Sequence, residues 1–489
     1  MTTRMPIELE RKLLKRRRTK IVATIGPSSA DLAVLERLIH AGVNVFRLNM
    51  SHGDHGGHRK AYSLIREAAR TAGIDVGVLA DLCGPKIRCG VFEGGRVDVQ
   101  TGSTVIVTTR DVTGSALLIP SQYREITKDV KAGSRILLDD GNLELRVDNI
   151  DGTDLRCTVI QGGVLKDRKG INLPDSTVSA PSLTEKDRAD AHFALDLQVD
   201  FLALSFVRRK ADVTELRNLI KSHTDTDVSI IAKIEKPQAL EQIEEIVDAA
   251  DGIMVARGDL GVEMPAEAVP IIQSELIDLA RSRGKPVIVA TQMLESMIGN
   301  PRPTRAEVSD VSTAVLAGAD AVMLSAETAS GAFPVNAVRT MDQVVRQMEA
   351  FLWNHGAFRF VSQRPEPEPP LELPDAVAKA TAQLSRDLRV RAIFVLSRTG
   401  LTARMVSSSR PAAPVISVST DERTARVMQL LWGVVPSTVS LEDCENPESL
   451  ARRLAQEYGI ATTGDRILRV SGFHLDGDLN IPAISVLTV

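Results

Sequence analysis

The chain has 489 residues, 43% of them hydrophobic and 25% charged, which at roughly 150 residues per domain is material for about three domains with cores of their own. A net charge of −4 and only 3% aromatic residues argue against a nucleic-acid binder with base-stacking platforms. The scattered Cys83, Cys89, Cys157 and Cys444 have no CxxC spacing, which disfavours a disulfide framework or zinc ribbon and suits a reducing cytosol.

In chain order, a basic arm comes first: seven of the ten residues Arg11–Lys20 are cationic. It reads as a solvated arm entering the first strand rather than as an anion patch. It lacks the apolar core and cleavage site of a secretory signal. No apolar run approaches the roughly 20 residues that span a bilayer, so no membrane partner is expected and the location expected is cytoplasmic. Strand Lys20–Thr24, helix Asp31–Ala41, strand Val43–Leu48, helix His58–Ala72 and strand Val76–Ala80 follow. From about Pro85 to Ala180 the pattern turns alternating and turn-rich, as in a small antiparallel β domain. Helix and strand then alternate again, with strands Phe201–Ser205, Ser229–Ala232, Gly252–Val255, Pro286–Ala290 and Ala321–Leu324. Helices are expected at Thr184–Leu197, Ala211–Lys221, Pro237–Ala249, Val269–Arg283, Arg305–Leu316 and Val335–Phe351.

Eight strands, each followed by a helix, are the arithmetic of a TIM barrel. The expected fold is α/β: a (β/α)8 barrel with an inserted small β-barrel domain after its third strand and a C-terminal α/β domain. Arg364–Pro374 holds five prolines in eleven residues and reads as a stiff connector. The implied domains are barrel 1–84, inserted lid 85–180, barrel 181–363, linker 364–374 and C-terminal domain 375–489.

In such a barrel, chemistry belongs just past the C-terminal strand ends. Strand two runs into Arg47, Asn49, Ser51 and His52, and strand three into Asp81, Cys83, Lys86 and Arg88. Strands five to eight end in Lys233 and Glu235, in Arg257, Gly258 and Asp259, in Thr291 and Gln292, and in Ser325 and Glu327. Lys233 and Glu235, two apart on a strand, emerge on one face. With Asp259 they offer two carboxylates and an ammonium, and two carboxylates plus substrate oxygens are a usual Mg²⁺ environment. Lys233 could neutralise a transferring phosphoryl group or a developing enolate. Arg47, Lys86 and Arg88 suit phosphate, and Gly258 leaves its backbone N–H open to a substrate carboxylate. His52, His55 and His58 are spaced like a metal cluster, but the glycine-broken SHGDHGGH reads as a solvated helix start. Nothing in the sequence makes Cys83 reactive. No GxxxxGK[ST], HExxH or GxSxG is present, so any nucleotide is held without a P-loop.

Arg17–Ser29 (RRTKIVATIGPSS), RLNMSHG, DLCGPKIR, KGINLP, IIAKIEKPQAL, DGIMVARGDLGVE, ATQMLESMI, RPTRAEVSDV and AVMLSAETASG, in this order, resemble the pyruvate kinase family of bacterial type. The likeness covers nearly the whole chain through Phe351 and is looser beyond. It implies phosphoryl transfer from phosphoenolpyruvate to ADP, giving pyruvate and ATP through a Mg²⁺-stabilised enolate, in glycolysis. By resemblance, Glu235 and Asp259 hold Mg²⁺ (or Mn²⁺), and Lys233 stabilises the phosphoryl and the enolate. Arg47 binds the phosphate, the Gly258 amide and Thr291 the carboxylate; Asn49, His52, Arg88 and Lys169 contact the nucleotide. The Thr291 region with water is the expected proton source. A cytoplasmic homotetramer is implied by the family alone.

Two departures matter. Relatives that need K⁺ hold it with groups matching Asn49, Ser51, Asp81 and the backbone of Leu82, with a glutamate where this chain has Lys86. A fixed ammonium there would repel a second cation, so activity without K⁺ is expected. In the C-terminal domain, Ser397, Thr399, Gly400 and Thr402 open a helix after strand Ala392–Leu396, forming a candidate phosphate nest. Relatives use this loop for a phosphorylated effector, so activation by a phosphorylated metabolite is expected, a phosphorylated sugar being one candidate, and the tail HLDGDLNIPAISVLTV, which departs from the family pattern, leaves the effector's identity open. Two competing classes are a barrel lyase with a Mg²⁺-stabilised enolate, which leaves Lys169 and Arg88 unexplained, and a non-catalytic binder using the basic arm, which leaves Lys233, Glu235, Asp259 and Thr291 unexplained.

Overall fold

The structure, a computed structural model, describes residues 16–176, 178–362, 370–473 and 481–489. The readings for the arm up to residue 15, for linker positions 364–369 and for tail positions 474–480 lie outside the described residues. Strands Lys20–Thr24, Val45–Asn49, Gly77–Asp81, Phe201–Leu204, Ser229–Ile234, Gly252–Ala256, Val287–Ala290 and Ala321–Leu324 close into a parallel barrel in sequential order. Their near-continuous apolar runs reflect burial on both faces. Val22, Val45, Leu79, Ile231 and Ile288 point into the barrel. Their chain neighbours Ile21, Phe46, Val78, Ile230 and Val289 belong to the outer core with the surrounding helices, the period of two of a strand. The expected helix Pro237–Ala249 is broken at Gln242 into Pro237–Glu241 and Ile243–Ala249. A helix not anticipated, Arg257–Glu263, starts directly at the end of the sixth strand.

The chain leaves the barrel at Gly84, whose φ is +69°. A Cβ there would lie 2.7 Å from Phe206 and 2.9 Å from Ser205, so both backbone conformation and space require glycine. The inserted domain is a curled six-stranded sheet. Its order is Ile171–Asn172, Arg135–Leu138, Leu143–Asp151, Asp154–Gln161, Thr104–Thr108 and Leu118–Pro120, and a ribbon of Arg96–Val99 with Gly163–Lys166 lies beside it. It has a separate core around Val105, Ile136, Leu145 and Leu155. The C-terminal domain opens with helix Leu373–Asp387, Pro374 sitting in its first turn where a missing N–H is tolerated. Its five-stranded sheet runs in the order Val434–Thr438, Val415–Ser419, Ala392–Leu396, Arg466–Ser471 and Ala483–Thr488, antiparallel only at the last strand.

The N-terminal face of the barrel is sealed by this C-terminal domain, which contributes Leu430 to the barrel's interior cluster. Arg410–Asp320 and Arg426–Asp200 ion pairs, each 2.9 Å, join the two domains. The arm was expected to be solvated; in its described part Arg16 and Arg17 are instead half-buried and Arg18, Thr19 and Lys20 buried. The Arg18 and Thr19 amides donate to Glu349 at 2.8 and 2.6 Å, Arg17 pairs with Asp342 at 2.9 Å, and Lys20 Nζ donates to the Val434 carbonyl at 2.6 Å. The physical reason is that the buried Glu349 carboxylate and the strand-end carbonyls need donors, and the arm's cations and amides supply them. No helix among the described residues is long and apolar enough to cross a membrane.

Candidate active site

The C-terminal strand ends meet at one rim, where their side chains form a connected ion cluster. Lys233 Nζ lies 2.9 Å from Glu235 Oε1 and 3.2 Å from Asp81 Oδ1, and donates to Ser205 Oγ at 2.7 Å. Arg47 Nε meets Asp81 Oδ2 at 2.6 Å, and its Nη1 donates to Thr24 Oγ1 at 3.1 Å. Glu235 Oε2 accepts the Phe206 N–H at 2.7 Å, from a residue held at φ +53°. Side chains of Asp81 and Glu235 are each 1% exposed, those of Lys233 and Arg47 11%. Burial opposes the Lys233 ammonium, but the Asp81 and Glu235 carboxylates override it and hold its pKa above the usual lysine value. Burial likewise opposes the Asp81 carboxylate, and Lys233 with Arg47 pulls it below the usual range. Burial pushes Glu235 upward, against the pull of Lys233 and with the charge of Asp259. Lys233 is therefore a fixed cation rather than a proton donor at neutral pH.

Asp259 sits in the first turn of helix Arg257–Glu263. Arg257 anchors that turn through the Thr291 carbonyl and Asp310, each at 2.6 Å. Thr291 and Gln292 have φ +67° and +56°, a strained double turn that aims the Thr291 hydroxyl at the Gly258 N–H, 2.7 Å away. Here the structure departs from the sequence reading: the Gly258 N–H is not open but donates to Thr291 Oγ1, because the hydroxyl is the nearest acceptor for an otherwise orphaned first-turn amide. Among the described residues no three His, Cys, Asp or Glu side chains converge as a metal cage. The hard-oxygen pair Glu235 and Asp259 fits a divalent ion that completes its shell with water and substrate oxygens. His52, His55 and His58 do not converge: His55 pairs with Asp190 at 2.8 Å and stacks on Phe193, and His58 Nε2 bonds the His52 carbonyl.

Between rim and inserted domain lies a cleft whose walls include Lys86, Asp140, Gly170, Arg208, Lys236 and Asp259. Arg88 and Lys169 are neighbours across an Arg88–Gly170 bridge; Arg88 donates to the Arg168 carbonyl at 3.0 Å and Lys169 pairs with Asp139 at 2.7 Å. Neither has a hydrogen bond or ion pair to Asn49 or His52, which stay on the barrel side; His52 is on an exposed turn. In the monovalent-cation region, Asn49 Oδ1 accepts the Ser51 N–H at 3.1 Å, Asp81 is paired twice, and the Leu82 carbonyl accepts from Ser205 Oγ at 2.7 Å. Glu327 accepts from the backbone of Leu294 and Ser325, a loop brace rather than a reactive group. In the C-terminal domain Ser397 and Thr402 are buried and Thr399 exposed, and Gly400 at φ +79° precedes helix Leu401–Ser408, whose cap has no side-chain acceptor.

Sequence reasoning missed Thr24, Ser205 and Phe206, which hold Arg47, Lys233 and Glu235. The signal was present, since strands one and four must also end on the rim, and both end near hydroxyls.

A family model for the pyruvate kinase barrel domain matches residues 16–338, and one for the pyruvate kinase alpha/beta domain matches residues 375–485. The chain is 43% identical to a pyruvate kinase of Geobacillus stearothermophilus, over 97% of this chain and 81% of the relative. It is 40% identical to one of Clostridium perfringens, over 93% and 96%. A crystal structure of a pyruvate kinase from Cryptosporidium parvum superposes with a TM-score of 0.89 at 38% identity, covering 96% of both chains. The chain belongs to the pyruvate kinase family and is a phosphotransferase.

Proposed function

We propose that the chain moves the phosphoryl group of phosphoenolpyruvate to ADP with a divalent ion, Mg²⁺ or Mn²⁺, held by Glu235 and Asp259. The observation that carries this is the buried Lys233–Asp81–Arg47–Glu235 cluster, a fixed pair of cations held on the carboxylates of Asp81 and Glu235. When bound, the ion neutralises phosphoryl oxygens and orients substrate. Arg47 grips the phosphate, and Lys233, kept charged by Asp81, faces the phosphoryl in transfer and the enolate oxygen left behind. Such transfers need positioning and charge neutralisation more than covalent chemistry. Thr291, released from Gly258, takes the substrate carboxylate together with that amide and orders the water that protonates the enolate. Asn49, His52, Arg88 and Lys169 hold the nucleotide, the last two from the inserted domain.

K⁺ is not required in this reading. Protein donors already engage Asn49 Oδ1, Asp81 and the Leu82 carbonyl, and Lys86 places a further ammonium in the cleft. A phosphorylated sugar activates through Ser397, Thr399, Gly400 and Thr402, and the enzyme is a cytoplasmic homotetramer. The deciding assay is pyruvate formation from phosphoenolpyruvate, which must require both ADP and Mg²⁺. Lys233→Met should lose at least about 10³ of turnover while retaining phosphoenolpyruvate binding; turnover close to that of the unaltered chain would remove Lys233 from the mechanism.

A further inference from the structure

We propose that Asn172, Glu263 and Lys236 form a latch between the inserted domain and helix Arg257–Glu263, making Asn172 and Glu263 positioning residues for Asp259. The inference rests on the reading of Asp259 as a carboxylate for the divalent ion. Asn172 lies on strand Ile171–Asn172 of the inserted domain, in the wall of the cleft that Asp259 also lines, and its Nδ2 donates to Glu263 Oε1 at 3.0 Å. Lys236, next in the chain after Glu235, reaches the same oxygen from the barrel. Its ammonium also stands 5.5 Å over the ring of Phe206, whose N–H holds Glu235. The Glu263 side chain is 0% exposed and its Oε2 has no hydrogen-bond partner. One oxygen thus carries both contacts, so removing Asn172 leaves a buried carboxylate with Lys236 as its one donor among the described residues.

Glu263 is four residues after Asp259, so both lie on one face of the helix. The helix is fixed at its start by Arg257 and by the Gly258–Thr291 bond. At its end it is fixed by the latch. A seven-residue rod held at both ends transmits the position of the inserted domain to Asp259. Lys169, three residues before Asn172, moves with the same segment, so nucleotide contact and carboxylate placement are set together.

The test uses the full chain. Asn172→Asp sets a second carboxylate against Glu263, and Glu263→Gln in the same chain restores a donor facing an acceptor. Amide hydrogen exchange in helix Arg257–Glu263 and the affinity of the substrate-free enzyme for Mn²⁺ are measured for each. Asn172→Asp is expected to speed exchange and weaken Mn²⁺ binding by about tenfold, the loss of one charge-assisted hydrogen bond, and the double variant to recover most of both. If Asn172→Asp fails to fold, Asn172→Ala carries the same test. A residue that only stabilises its own domain would leave both readouts in the barrel unmoved, and that result, or a double variant no better than Asn172→Asp, overturns the latch. Exchange needs no turnover, so failure of the ADP-dependent assay in the unaltered chain sinks the functional reading separately.

Discussion

Lys20 is a cation buried where an apolar residue would pack. Burial, reinforced by the charge of Arg17, lowers its pKa from 10.5 to about 7. Arg18 and Arg16 push the same way, and only Glu349 opposes them. In the unfolded chain Lys20 keeps its proton to about pH 10.4, so between pH 7 and that value the unfolded state binds more protons and native stability rises with pH. The slope is half-developed at pH 7 and rises to about 1.4 kcal/mol per pH unit above it, so the gain between pH 7 and pH 9 is about 2 kcal/mol. Well below pH 7 the native state also holds the proton and the penalty is constant. Lys20→Met has similar length and no titration. Urea unfolding of both chains at pH 6, 7, 8 and 9 reads the difference, in which groups common to both cancel. The unaltered chain should gain on Lys20→Met by about 2 kcal/mol from pH 7 to pH 9 and by only a few tenths of a kcal/mol from pH 6 to pH 7. Parallel curves over pH 7–9 would show that the ammonium is solvated or fully compensated, and would refute the argument.

Leu430→Ala, which truncates the buried side chain that the C-terminal domain adds to the barrel interior beside Val427, should cost about 2–5 kcal/mol; a loss under about 1 kcal/mol in urea unfolding would mean that Leu430 does not pack as a plug. The unaltered enzyme should show no large rise in turnover when K⁺ replaces another salt at constant ionic strength, and Lys86→Glu should create such a rise; a strong K⁺ response before substitution counts against the Lys86 reading. Thr399→Glu, which places a carboxylate in the candidate phosphate nest, should weaken activation by a sugar phosphate by roughly tenfold or more, since each unit of like charge near a bound phosphate opposes it. Activation curves that superpose before and after would reject that site.

The barrel was legible because its physics is local. Strands buried on both faces read as apolar runs such as Lys20–Thr24 and Ala321–Leu324, the helices between them carry their own periodicity, and the first polar residues beyond each run fall on one rim. Lys233 and Glu235 could be placed on one face from their spacing alone, and the structure sets them 2.9 Å apart. The inserted domain was legible as a break in the pattern, although its sheet order depends on long-range pairing that alternation does not encode.

What stayed hidden depends on partners distant in sequence. The arm Arg16–Lys20 looks like any solvated basic run until Glu349, some 330 residues away, is placed against it. The Gly258 N–H reads as free until Thr291 is turned into a left-handed conformation that no single-residue propensity favours. Asp81 illustrates why such gaps concentrate at a site. Its place in the sequence marks it as a strand-end carboxylate of the monovalent-cation region, yet in the structure it pairs with both Arg47 and Lys233 and, with Glu235, keeps the Lys233 ammonium charged in a buried rim. Removing it would leave the two buried cations with Glu235 alone to compensate them, a dependence that only the folded arrangement of strands two, three and five makes visible.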